Sequence, residues 1–239
     1  MAKKKKSYYT KNDKATASGI SFAAKEAYNL LRTNLFFSFS DDVKCHVIGV
    51  TSTISSEGKS LTSANTAMAM AEAGKRVLLI DSDMRLPTIH KKLGFKAAPG
   101  LSNLLVGMND VEKAIYRLED KGFDVMPAGN TPPNPTELLG SARMEKLLNG
   151  LSAHYDYIII DLPPVTIVSD ALVASKYLSG VVFVVRGGRA TTGELAEAMR
   201  QLEFSNVKVL GFVYNSAEGA KNNNYSRKYS KSYGRYYGA

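Results

Sequence analysis

Short runs of uninterrupted apolar residues recur along this chain, and the stretches between them carry helical spacing. The runs at 46–51, 76–80, 123–126, 155–160, 181–185 and 207–214 read as strands, with Val77-Leu78-Leu79-Ile80 and Ile158-Ile159-Ile160 at the centres of two of them. Strands that are apolar at every position must bury both faces. That is the habit of a mostly parallel sheet covered by helices on each side. The intervening stretches fit. Residues 23–38 put Ala27, Leu30, Leu31 and Leu35 on one face, and 60–73 are rich in Ala and Met, with Gly74 as terminator. Residues 136–152, 169–178 and 194–204 also read as helices, with shorter ones at 87–93, 101–106 and 111–118 and a proline-forced loop at 132–135. The expectation is an α/β fold whose ligands bind beyond the carboxyl ends of its strands.

A chain of 239 residues suits one domain with a sizeable core. Its aliphatic runs are far shorter than the roughly 20 residues a membrane span needs. The lysines at 3–6 are not followed by the apolar stretch of a signal peptide, and the single Cys45 excludes an intrachain disulfide or a cysteine metal cage. These features predict a soluble, cytoplasmic protein.

The net charge of +9 lies at the two ends. Residues 1–14 carry +5, residues 221–239 carry +5, and the 206 between them carry −1. Five of the 13 tyrosines, Tyr225, Tyr229, Tyr233, Tyr236 and Tyr237, stand in the last 15 residues among Ser, Gly, Lys and Arg, just after Asn222-Asn223-Asn224 and with no aliphatic side chain. Such a composition buries too little to offset the entropy of ordering it. The predicted organisation is a basic flexible arm at 1–18, a folded domain at 19–219 and a disordered tyrosine-rich tail at 220–239. A flexible tail that spaces tyrosines three or four residues apart offers them to something.

Chemistry is concentrated after three strands. The first runs into Thr51-Ser52-Thr53-Ile54-Ser55-Ser56-Glu57-Gly58-Lys59-Ser60. A Gly-Lys-Ser ending at a strand-to-helix junction is how a P-loop is built: backbone N–H groups and a helix N-terminus surround phosphates, the lysine reaches the terminal oxygens, and the serine meets Mg²⁺. The second strand ends in Asp81-Ser82-Asp83-Met84-Arg85, a pair of carboxylates able to hold Mg²⁺ and to take a proton from an attacking hydroxyl. A later strand ends in Asp161-Leu162-Pro163-Pro164. A lone acid after a strand is usually a cap, but three beside a Gly-Lys-Ser loop point to a Mg-nucleotide site. The fold expectation sharpens to a P-loop NTPase-like, mostly parallel sheet with helices on both faces.

Together these motifs resemble the bacterial tyrosine kinases of capsule and exopolysaccharide gene clusters, of the type with a separate cytoplasmic kinase polypeptide. The resemblance runs over about 26–215. It rests on Asp81-x-Asp83-x-Arg85-x-Pro87-x-x-His90, Gly100-Leu101-Ser102, Pro132-Pro133-Asn134-Pro135-x-Glu137-Leu138-Leu139 and Asp161-x-Pro163-Pro164-Val165. It implies an ATP- and Mg²⁺-dependent kinase that phosphorylates the tyrosine cluster of its own tail between subunits of a homo-oligomeric ring. It also implies a transmembrane activator of the polysaccharide chain-length-determinant type, which would hold the kinase at the inner face of the membrane. By position, Lys59 would contact the β/γ-phosphates, Ser60 would bind Mg²⁺, Asp83 would assist deprotonation of tyrosine, and Asp81 and Asp161 would organise the metal. Ser56, Glu57, Gly58, Leu61, Arg85, Arg186 and Asn215 would complete the nucleotide site.

Two departures stand out. Family loops read Pro-Gly-Glu-Gly-Lys-Ser where this chain has Ser55-Ser56, a change whose cost depends on the sign of φ at Ser56. The family's Glu-x-x-Arg-x-x-Arg oligomerisation motif becomes Glu26-x-x-Asn29-x-x-Arg32, and Asn cannot form a bidentate pair with a carboxylate. The main rival is an ATPase switch of the partition or septum-site type, whose signature lysine is replaced here by Ile54. A nucleic-acid partner would leave Asp81, Asp83 and Asp161 without a role and would find no basic groove on the body.

Overall fold

The computed structural model describes residues 20–40 and 42–215. Seven strands form one sheet in the order β3-β4-β2-β5-β1-β6-β7: β1 (His46–Ser52), β2 (Val77–Asp81), β3 (Tyr116–Leu118), β4 (Phe123–Met126), β5 (Tyr157–Asp161), β6 (Gly180–Arg186) and β7 (Val209–Asn215). All neighbours pair in parallel except β3, which runs antiparallel to β4 at one edge. The helices are α1 (Phe22–Phe37), α2 (Lys59–Glu72), α3 (Ile89–Leu93), α4 (Leu101–Leu105), α5 (Val111–Ala114), α6 (Pro135–Leu139), α7 (Ala142–Leu151), α8 (Asp170–Ala174) and α9 (Thr192–Phe204). The tail tyrosines and the N-terminal arm lie outside the described residues.

Both faces of the sheet are covered over its central strands, as the uninterrupted apolar runs require, while β7 at the edge leaves Phe212 and Tyr214 exposed. Leu78, Ile80, Ile158 and Ile160 point into one core with Leu101, Leu139, Met144 and Leu148, on the side of α4, α6, α7, α8 and α9. Their neighbours Val77, Leu79 and Ile159 point the other way and pack with Ala64, Ala67, Met70 and Leu35 of α2 and α1. Successive strand side chains alternate faces, so a strand with a core on each side has no polar position to spare.

Three predicted helices are corrected. The stretch at 111–118 is helical only to Ala114; Tyr116–Leu118 forms β3, because its Leu118 carbonyl accepts from Lys121 and Gly122 in a tight turn that returns the chain along β4. The stretch at 136–152 is two helices. Ser141, in extended conformation, caps α7 by accepting from the Met144 amide. The stretch at 169–178 is α8 followed by a single 3₁₀ turn at Ser175–Tyr177.

Helix α1 lies on α2. Arg32 donates to the Ala69 carbonyl at 3.1 Å, and Lys25 pairs with Glu72 at 3.0 Å. Glu26 accepts from Asn29 at 3.0 Å on the same helix. Arg32 and Glu26 thus both have partners within the subunit.

Candidate active site

The carboxyl ends of β1, β2, β5, β6 and β7 meet around the loop 53–58. Gly58 sits at φ +100°, and a Cβ there would fall 2.3 Å from Asn215 Nδ2, so this position requires glycine. Two residues from the ends of β6 and β7 fasten the loop backbone: Asn215 Nδ2 donates to the Glu57 carbonyl at 2.9 Å, and Arg186 Nη1 donates to the Ser56 carbonyl at 3.3 Å. Glu57 itself turns inward. Its buried carboxylate accepts from the Ile54 amide at 2.9 Å and the Arg186 amide at 3.1 Å, pinning the start of the turn to the end of β6. Ser56 adopts φ +67°, the left-handed conformation that glycine takes without strain. The Ser-for-Gly departure is therefore the costly kind. Ser56→Gly is expected to raise Tm by about 2 °C, since relief of roughly 1–2 kcal/mol of strain exceeds the backbone entropy that glycine adds. Calorimetry checks this, and an unchanged or lower Tm refutes it.

Lys59 opens α2 and sets its ammonium among the carboxylates of Asp83, Asp161 and Asp81. Its Nζ lies 2.8 Å from Asp83 Oδ2, 3.7 Å from Asp161 Oδ2 and 3.5 Å from Ser60 Oγ, and its residue is only 9% exposed. Burial works to lower its pKa, but Asp161 and Asp83 outweigh that and hold it above the ordinary lysine value. Asp83 Oδ1 accepts from the Leu86 amide at 3.0 Å. Asp161 Oδ1 accepts from Ser63 Oγ at 3.0 Å, while its Oδ2 is buried with no hydrogen-bond donor. Burial pushes the Asp161 carboxyl above its usual range despite the pull of Lys59.

Asp81 turns both oxygens to backbone amides. Oδ1 accepts from Asp83 at 3.2 Å and Oδ2 from Thr88 and Ile89 at 3.2 and 3.1 Å, so it shapes the loop leading to α3. Burial first, and then the charge of Asp161, push its pKa to about 8. In the unfolded chain that proton is lost near pH 4. Between about pH 4 and about pH 8 the unfolded state binds fewer protons, so stability of the protein alone falls as pH rises through this window. Asp81→Asn is expected to flatten the decline. Tm profiles of the two proteins across pH 5–8 check it; parallel curves refute it.

A cleft of about 380 Å³ opens over this cluster, lined by Ser55, Ser56, Gly58, Lys59, Ser60 and Leu61 on the loop side and by Asp83, Leu86, Thr88 and Lys92 opposite. Arg85 does not line it. Its guanidinium grips Asp170 through Nε and Nη2 at 3.0 and 3.2 Å and reaches Thr136 Oγ1 at 3.1 Å, tying the loop after β2 to α8 and α6. Asp170, the first residue of α8, is the buried partner that fixes Arg85. Ser63, the donor to Asp161, went unnoticed in the sequence. It sits one helical turn after Lys59, on the same face of α2, and that spacing is the signal that could have found it. Thr166 is another, donating to the Thr53 carbonyl at 2.6 Å.

Among the described residues no three His, Cys, Asp or Glu side chains converge to cage a metal. The donor set is instead that of a Mg²⁺ ion held by few protein ligands and by phosphates. Asp161 Oδ2, a buried oxygen lacking a donor, and the neighbouring Ser60 hydroxyl fit that description.

A parallel sheet covered on both faces, with a strand–Gly-Lys-Ser–helix junction and two strand-end acids facing the lysine, defines a P-loop nucleotide-binding protein. Residues 45–209 match the model of the family described as an AAA domain. Tyrosine-protein kinase YwqD of Bacillus subtilis is 36% identical over 84% of this chain and 84% of its own length. The EpsB proteins of Ralstonia nicotianae and Ralstonia solanacearum are 38% identical over 88% of this chain, which spans 28% of their length. The kinase domain of Escherichia coli tyrosine kinase ETK superposes with a TM-score of 0.76 at 34% identity, covering 82% of this chain and 78% of that domain. The chain belongs to the bacterial tyrosine-protein kinase family. Among the described residues no helix is long and apolar enough to cross a membrane.

Proposed function

We propose that this protein transfers the γ-phosphoryl group of Mg·ATP to tyrosine, that Tyr225, Tyr229, Tyr233, Tyr236 and Tyr237 of its own tail are the acceptors, and that this controls capsule or exopolysaccharide synthesis. The observation that carries the reading is Asp83, 6% exposed on the wall of the cleft and 2.8 Å from Lys59. A carboxylate there accepts the hydroxyl proton of an incoming tyrosine, and Lys59 neutralises charge on the phosphoryl oxygens. Mg²⁺ would be held by Ser60 and Asp161, with Asp81 fixing the adjoining loop; bound there, it supplies charge neutralisation between the phosphates. The loop amides from Ser56 to Ser60 cradle phosphate. Leu61 borders the cleft, and Glu57, Arg186 and Asn215 keep the loop in shape.

The relatives named as tyrosine kinases, and Ile54 where the partition-type ATPases carry a lysine, support this reading over an ATPase switch. On the same reading the kinase works as a homo-oligomer, docked by a transmembrane activator of the chain-length-determinant type at the inner face of the membrane. Intact mass after incubation with Mg·ATP tests it. Successive one-phosphate steps are expected, absent from a chain ending at Gly219. ATP hydrolysis with no mass step, with or without an activator's cytoplasmic peptide, overturns the kinase reading in favour of the switch.

A further inference from the structure

A second cleft, of about 640 Å³ and larger than the one over the P-loop, opens between α4, α5 and α7. Its floor is apolar: Leu104, Leu105, Ile115, Leu147 and Leu151. Its rim carries Arg143 and Lys146, with the His154 imidazole beside them, and a single acid, Glu112. His154 and Tyr155 also line a separate polar cleft of about 300 Å³, to which Lys75, Arg76, Arg117 and Asp124 contribute. Arg76 is spent on Asp156, which accepts from its side chain and amide, and Asp124, opposite Arg117 in the β3–β4 ladder, accepts from the Tyr155 hydroxyl at 2.8 Å, so Lys75 and Arg117 against Asp124 set the charge of this lobe. An apolar trough with Arg143 and Lys146 on its rim, and Lys75 and Arg117 beyond His154 and Tyr155, suits a ligand with a flat apolar body and an anionic end.

We infer that this double cleft binds phosphotyrosine, and that its occupant is the phosphorylated tail of this chain, its own or that of a second copy. The aromatic ring fills the trough and the phosphate meets Arg117, Lys146 and His154. The inference rests on the reading that the tail is phosphorylated. The unmodified tail carries five cations and no acid, so the basic rim repels it. Each phosphate adds about −1.5 to −2 charge, so phosphorylation of a few tyrosines reverses the sign of the tail. Length permits the contact. The cleft lies at the β3–β4 edge of the sheet, and β7, the last element before the tail, is at the opposite edge, five strand spacings of about 4.8 Å from β4. Tyr233, Tyr236 and Tyr237 follow Asn215 by 18 to 22 residues, an extended reach of roughly 60–75 Å. The tail would thereby leave the P-loop after reaction and be held at a remote face.

Gly150 offers a clean test. It lies on α7 in the cleft wall, and a Cβ added there meets nothing within 4 Å. Gly150→Trp therefore plugs the trough without backbone strain, and Lys146→Glu reverses one rim charge at an exposed position. Anisotropy is measured with synthetic peptides of residues 221–239, unmodified or phosphorylated on Tyr233, Tyr236 and Tyr237, titrated with the full chain. The phosphopeptide is expected to bind at least about tenfold tighter than the unmodified one, and both variants to lose about tenfold or more, with Tm and phosphate mass steps like those of the parent. Equal affinities for the two peptides, or variants that bind as the parent does, overturn the inference. So does displacement of the phosphopeptide by equimolar inorganic phosphate, which would reduce the site to a simple anion pocket. Binding of anionic phospholipid vesicles without binding of phosphopeptide overturns it in favour of a lipid surface. Because the peptides are synthetic, these outcomes do not depend on whether the chain is a kinase, which the mass steps decide separately.

Discussion

Lys59→Met is expected to remove every phosphate mass step and to destabilise the protein in the same stroke. The ammonium is buried 2.8 Å from Asp83 and 3.7 Å from Asp161, with Asp81 contributing to the same field. Removing one partner of a buried ion pair leaves the others unopposed, at a cost of about 3–5 kcal/mol, which for a chain of this size lowers Tm by on the order of 10 °C. Acid should restore part of the loss. The orphaned carboxylates take up protons, so the variant's deficit shrinks as pH falls from 8 toward 5. On the chemical side, a preorganised cation aimed at phosphoryl oxygens is worth about 10³-fold or more in rate. Tm profiles and intact mass read both effects. Mass steps at the parental rate, or a Tm equal to the parent's at pH 8, would be fatal to the assignment of Lys59.

Asp83→Asn separates the acceptor's chemistry from the nucleotide's. The amide keeps an oxygen for the Leu86 N–H, so the loop after β2 retains its shape, and Lys59 keeps Asp161 as a counter-charge. What is lost is the base. Tyrosine phosphorylation is expected to fall about 10²- to 10⁴-fold, while KM for ATP moves only a few-fold. The measurement is the initial rate of mass steps at several ATP concentrations. A large rise in KM with kcat preserved would mean that Asp83 serves the nucleotide and that another group receives the proton.

Much of this site could be read from the chain because it is local in sequence. A Gly-Lys-Ser at a strand-to-helix junction and acids at strand ends are placed by the strands themselves, and uninterrupted apolar runs dictate a two-sided parallel sheet. The positive φ at Ser56 could not be read, since it depends on what the loop is tied to: Glu57 from within, and Arg186 and Asn215 from strands that come more than 120 residues later. The pairing of Arg85 with Asp170 is likewise a contact across 85 residues, so a residue at a motif position turned out to brace two helices. The short strand β3 escaped notice because a stretch with apolar residues at helical spacing becomes a strand only when an edge is there to receive it.

The sequence by itself determined the kind of fold, six of its seven strands, the phosphate loop with its lysine, and the two basic ends with the tyrosines of the second, because each depends on residues close together in the chain. Only the tertiary structure decided which carboxylate faces Lys59, which merely shapes a loop, where Arg85 is spent, and that an apolar trough lies beside a cationic rim far from the P-loop. Those are questions of distance between residues remote in sequence, and they are settled by how the two cores pack against the sheet.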